Sequence, residues 1–122
     1  YPDWLDAGAL RREVLDAVAT SGHYLPSLRD PRTNRSTRAP RRRLAPGSVV
    51  IVSGTFLLGR DLPFERTVHL AQSGAARRRS TPADEVWTLA AFDAYDARVR
   101  PSDTADLVVK LDDPRHPAAR WT

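Results

Sequence analysis

The chain has 122 residues, 41% hydrophobic and 28% charged, a composition that fits one small globular domain or a piece of a larger one. There is no cysteine, which excludes a disulfide framework, a thiolate zinc site and a cysteine nucleophile, and no apolar run approaches the roughly 18 residues of a membrane-spanning helix. The formal net charge of +4 is carried almost wholly by arginine, whose planar donor fork suits phosphate and carboxylate, although a GC-rich coding bias produces the same excess.

The segment from Asp3 to Val18 reads as a helix, with Leu10, Val14 and Val18 on one apolar stripe, Asp3 or Asp6 as its cap and Ser21-Gly22 as its stop. From Pro26 to Pro46 the periodicity disappears, and seven arginines lie between Arg29 and Arg43. A loop of that length is functional or disordered, while Arg41-Arg42-Arg43 alone reads as a solvated run. Pro46-Gly47 is a turn signal. The four β-branched residues Val49-Val50-Ile51-Val52 then predict a strand over 48–54, buried on both faces as in a parallel sheet.

Thr67 to Leu70 reads as a shorter strand, and Ser73 to Arg79 as a short arginine-rich helix that Thr81-Pro82 ends. Pro82 with Asp84 and Glu85 opens a helix to about Val99, burying Trp87, Ala91, Tyr95 and Val99. Pro101 stops it, Ala105 to Leu111 is a third strand, and the tail from Asp112 to Pro117 reads as irregular. Strands separated by helices predict an α/β fold with a parallel sheet and right-handed crossovers, in a single domain over 1–122 or a fragment of one. Tyr1 stands where an initiator methionine would, and no basic-then-apolar leader opens the chain. The expectation is a trimmed, processed or partly observed polypeptide without a secretory signal.

In this order the segments resemble an actinobacterial uridine-kinase-like protein, a branch of the P-loop nucleoside kinases. The stretch from Tyr1 to Leu15 is similar to the family's aromatic-x-Asp helix with its Ala-Leu-Arg-Arg-Glu-Val-Leu close. Asp30-Pro31-Arg32-Thr33-Asn34-Arg35 resembles its Asp-x-x-Thr-x-Arg acceptor loop. Val49 to Leu58 resembles a strand and turn that usually carry an acidic residue where Ser53 stands. Tyr95 to Pro101 with Ala105 to Val109 resembles the close of the fold. The resemblance implies a P-loop NTPase-like sheet, ATP and Mg2+ as cofactors, a nucleoside or similar small hydroxyl compound as acceptor, and a cytoplasmic location. A homo-oligomer also fits. The phosphate-binding G-x-x-x-x-G-K-[ST] loop is not in the chain, which therefore matches the later two-thirds of the family and is not competent alone for phosphoryl transfer.

By the same resemblance Arg78 and Arg79 fall where lid arginines close on ATP, with Arg77 beside them as a phosphate contact. The alternative is a solvated helix end. Asp113, Arg115 and His116 follow the last strand, at the carboxyl edge where α/β sheets bind ligands and where the family's adenine lies, or form a surface tail. Asp30, Arg32 and Arg35 match the acceptor loop, or make an ordinary Asp-Pro turn. His69 reads as a hydrogen-bonded core histidine, and Trp4, Trp87 and Trp121 as packing residues. His23, His69 and His116 are too widely spaced for a metal motif. Two other functions compete with the kinase: a degenerate, non-catalytic binding protein, suggested by Ser53, and a basic nucleic-acid-binding module on 29–43. The module is disfavoured because that loop has no aromatics for base stacking.

Overall fold

The computed structural model describes residues 5–30, 32–33, 35–37 and 39–122. Asp3 as a cap, Trp4 as a packing residue, and Pro31 and Asn34 of the acceptor-loop motif lie outside the described residues. Two compact units follow one another in the chain, parting between Phe64 and Glu65.

The first unit opens with α1 (Ala7–Leu10), a π-helical turn (Arg11–Leu15) and α2 (Asp16–Ser21). Asp6 is the cap: its carboxylate accepts from the Ala9 amide at 2.8 Å. Within the wider π turn, the Glu13 carbonyl accepts from the Leu25 amide at 3.0 Å, which ties the returning chain to the helix. Gly22 ends the helix in the left-handed region, φ 68°, with its amide on the Val18 carbonyl at 3.0 Å. Nothing lies within 4 Å of a Cβ built there, so Gly22→Ala meets only backbone strain. The expected loss is about 1 kcal/mol in denaturant unfolding, with Gly22→Asn losing less.

After β1 (His23–Tyr24) the chain makes a small folded loop and returns as β2 (Arg42–Arg43), antiparallel to β1. Arg41 is not simply solvated, because its guanidinium pairs with Glu13. Pro46-Gly47 turns as expected, with the Ser48 amide on the Ala45 carbonyl and Gly47 at φ 78°. Residues 48–54 belong to no strand, and Val49 and Ile51 are 82% and 87% exposed. The expected strand fails for lack of a ladder: β-branched residues favour a pleated surface, but a strand exists only where a neighbour pairs with it. Ala9, Leu10 and Phe56 form this unit's core.

The second unit is an α/β arrangement. Its elements are β3 (Val68–Ala71), α3 (Gly74–Ser80), a 3-10 turn (Ala83–Thr88), α4 (Leu89–Val99), α5 (Pro101–Thr104), β4 (Leu107–Lys110) and β5 (Ala118–Trp121). β3 and β4 pair in parallel, Val68 opposite Leu107 and Ala71 opposite Lys110, with three helices in the connection between them. β5 adds antiparallel to the other side of β4, giving the order β3-β4-β5. The irregular tail at 112–117 is thus followed by a strand. Ala-Ala-Arg-Trp carries little strand signal of its own, and the free edge of β4 recruits it once the turn at Asp113–His116 reverses the chain.

Residues in register share a sheet face, so His69, Ala71, Val108 and Arg120 point to one side. Val108 is 1% exposed there, and Ala76, Arg77, Tyr95, Pro101 and Ala105 are the unit's other buried residues among those described. The opposite face carries Val68, Leu70, Leu107, Val109 and Trp121, of which Val68, Leu70 and Trp121 are open to solvent. Trp87 also departs from expectation. Its segment is a 3-10 turn, whose tighter rotation takes the indole off the stripe that α4 buries with Tyr95.

The entry of the parallel pair is clamped by Asp106, which accepts from the Thr67 amide and hydroxyl, each at 2.7 Å. The hydroxyl bond first, then the amide bond, holds the Asp106 carboxyl below its ordinary value. A lowered folded pKa means stabilisation that is fully present above the unfolded aspartate value of about 3.9 and lost as pH falls through the folded one. Asp106→Asn is therefore expected to flatten the acid limb of the second unit's pH–stability curve below about pH 4, and unchanged curvature would refute the clamp.

Candidate functional site

The carboxyl ends of β3 and β4 lie side by side, and the chain leaves them through Gln72-Ser73 and Leu111-Asp112. The Leu111 amide donates to the Ala71 carbonyl at 2.8 Å, extending the ladder by one bond. Asp112 accepts from the Ser73 amide at 2.7 Å, while the Ser73 hydroxyl caps α3 by accepting from the Ala76 amide at 3.2 Å. The start of α3 is thereby tied to the end of β4. The Ser73 bonds are the main reason the Asp112 carboxyl sits below its ordinary value, with the Arg79 and Lys110 charges adding to them.

The three arginines of α3 have different surroundings. Arg77 is buried, forming an ion pair with Asp96 at 2.8 Å, a longer one with Asp93 at 3.6 Å, and a stack 4.8 Å from the Phe92 ring centroid. Its guanidinium locks α3 onto α4, and in this arrangement it is not presented to a phosphate. Arg78 and Arg79 are exposed, and Arg79 is near enough to Asp112 to act on its charge. Asp113, Arg115 and His116 come together as well. The Asp113 carboxylate takes the Arg115 amide at 3.0 Å, the Arg115 side chain at 3.3 Å and His116 Nδ1 at 2.9 Å. These bonds, His116 first, lower the Asp113 pKa and build the turn that launches β5.

Asp30, Arg32 and Arg35 lie in the other unit, in a loop closed by its own bonds. The Asp30 carboxylate accepts from the Arg32 amide at 2.8 Å, the Asp30 amide donates to the Arg35 carbonyl at 2.9 Å, and Arg29 bridges Ser36. An aspartate turned onto the amide two residues on is an Asx turn.

A concave region lies in the second unit, between β3 and the α4–α5 elbow. It is a cleft of about 240 Å3 lined by His69, Ala71, Gln72, Asp96, Arg100, Pro101, Ser102 and Asp103. Arg100 makes the elbow with φ 52°, an uncommon conformation outside glycine, held by its amide on the Asp96 carbonyl at 3.1 Å and its ion pair to Asp103 at 2.6 Å. Sequence reasoning read His69 as a core residue and left Gln72, Ser102 and Asp103 unremarked, because only the elbow brings Ser102 and Asp103 to the end of the strand that Gln72 follows. The one available signal was Asp93 and Asp96 at i, i+3, a spacing that puts both carboxylates on one helix face, here toward Arg77.

Among the described residues no three His, Asp or Glu side chains are grouped as metal ligands, and no helix is long and apolar enough to cross a membrane. Comparison with protein families, curated proteins and solved structures found no match.

Proposed function

We propose that this chain is the nucleotide-binding portion of a uridine-kinase-like phosphotransferase with a P-loop NTPase-like sheet. The intact protein would pass the γ-phosphoryl group of ATP to a nucleoside or similar small hydroxyl acceptor, with Mg2+. The observation that carries the reading is the edge just described: the carboxyl ends of a parallel strand pair, where α/β sheets bind ligands, flanked by the exposed Arg78 and Arg79. Arginine there suits the negative charge that builds on a transferring phosphoryl group. The described donor set offers no magnesium cluster, so in this reading the ion arrives with the nucleotide phosphates. Arg115 and His116 lie on the loop after β4 and are the candidates to face the base.

The test is equilibrium binding of a fluorescent ATP analogue to the full chain. Arg78→Ala with Arg79→Ala should weaken it about tenfold or more, as expected for losing charge-assisted hydrogen bonds to phosphate. Arg42→Ala, on exposed β2, should change it less than about twofold. Equal affinities for all three proteins would remove the lid assignment.

A second reading, a binding protein of the same kind without phosphotransfer, is favoured by Ser53. It stands in an exposed, unpaired segment where the family pattern has an acidic residue at a strand end. Turnover of ATP with uridine by the intact protein would exclude it.

A further inference from the structure

We propose that the cleft between β3 and the α4–α5 elbow binds a small, neutral, polyhydroxylated compound of about five carbons, through His69, Gln72, Ser102 and the carboxylates Asp96 and Asp103. The cleft meets the strand-end edge at Ala71 and Gln72 but uses none of Arg78, Arg79, Arg115 and His116, so its test is separate from that of the nucleotide reading.

Three observations lead there. The first is charge balance. Asp96 is paired with Arg77 at 2.8 Å, a cation it shares with the exposed Asp93, and Asp103 with Arg100 at 2.6 Å, so each charge lining the cleft has a partner. An inorganic anion would meet two carboxylates, and a cation would meet Arg100. A neutral molecule meets neither penalty. The second is hydrogen-bond capacity. A carboxylate has about four acceptor positions, and one arginine contact leaves others open; the Gln72 amide and Ser102 hydroxyl both donate and accept. Hydroxyl groups, each donor and acceptor at once, match such a mixed wall. The third is His69, which is half-buried against the cleft with no ring hydrogen bond from the described residues. Burial is the main influence on its pKa and lowers it. Asp96 opposes this and Arg77 adds to it; the other charged residues lining the cleft, Arg100 and Asp103, are paired with each other at 2.6 Å on the elbow. The ring is therefore neutral at pH 7 and offers one donor and one acceptor. A volume of about 240 Å3 holds a molecule of pentitol size with a few waters.

The experiment follows the His69 Hε1 resonance of the full chain by NMR while xylitol is added, with His69→Gln used to assign the signal. The expected result is a saturable shift with xylitol and no comparable shift with inorganic phosphate or magnesium chloride. Gln72→Ala and Ser102→Ala should each weaken the xylitol affinity about fivefold, the loss of one hydrogen bond. Because the ligand meets the neutral ring, xylitol should also lower the His69 titration midpoint further. No saturable shift, an equal shift with phosphate, or unchanged affinity in both variants would overturn the proposal.

Discussion

Tyr95→Ala should destabilise the second unit by about 3–4 kcal/mol, read as a fall in the denaturant midpoint of its unfolding transition. Tyr95 is only 6% exposed and is the largest side chain of a buried set otherwise made of Ala76, Arg77, Pro101, Ala105 and Val108. The small neighbours have little reach to close the cavity left behind, so the loss combines the transfer term with an unrelaxed void. Tyr95→Phe keeps the ring and should lose about 1 kcal/mol or less. If Tyr95→Ala left the midpoint unchanged, α4 would not be anchored through Tyr95.

Arg77→Ala should follow closely, at about 2–3 kcal/mol in the same measurement. Removing a buried cation strands its partners, and a fully buried pair typically loses 3–5 kcal/mol (an approximate range). Here Asp96 and Asp93 retain access to water, their side chains being 39% and 61% exposed, and solvent screening brings the expectation to the lower end. The aliphatic stem and the Phe92 stack add packing that alanine also removes. Arg77→Lys should recover part of the loss, since an ammonium keeps the charge but not the planar fork. In a double-mutant cycle with Asp96→Asn the two losses should fall short of additivity by about 1 kcal/mol. Strict additivity would show that the Arg77–Asp96 pair contributes nothing to stability, leaving packing and Asp93 as the sources of the loss. Unaltered nucleotide binding by Arg77→Lys would separate its structural part from that of Arg78 and Arg79.

Both residues show why neighbouring arginines of one helix cannot be told apart in the sequence. Arg77-Arg78-Arg79 is a uniform run, and its division into one buried lock and two exposed charges depends on where α4 places Asp93, Asp96 and Phe92. Asp113, Arg115 and His116 were legible as a group at the strand end, because adjacency in sequence kept them together. The cleft was not, since His69 and Asp103 are brought near each other only by the turn at Arg100.

What local chemistry decides was readable along the chain. A short carboxylate before an apolar stripe narrowed the helix cap to Asp3 or Asp6, a glycine able to take positive φ stopped the helix at Gly22, and prolines punctuated the turn at Pro46 and the helix at Pro101. The strands 68–71 and 107–110, separated by helices, were readable as a parallel pair because a crossover of that length permits no tight hairpin. Strand existence elsewhere depended on partners. Val49 to Val52 has the stronger strand composition yet finds no ladder, while Ala118 to Trp121, with almost none, pairs with β4 because that edge was open. Helix caps and turns are satisfied within a few residues of themselves. A sheet hydrogen bond needs a second segment, and only the tertiary structure supplies it.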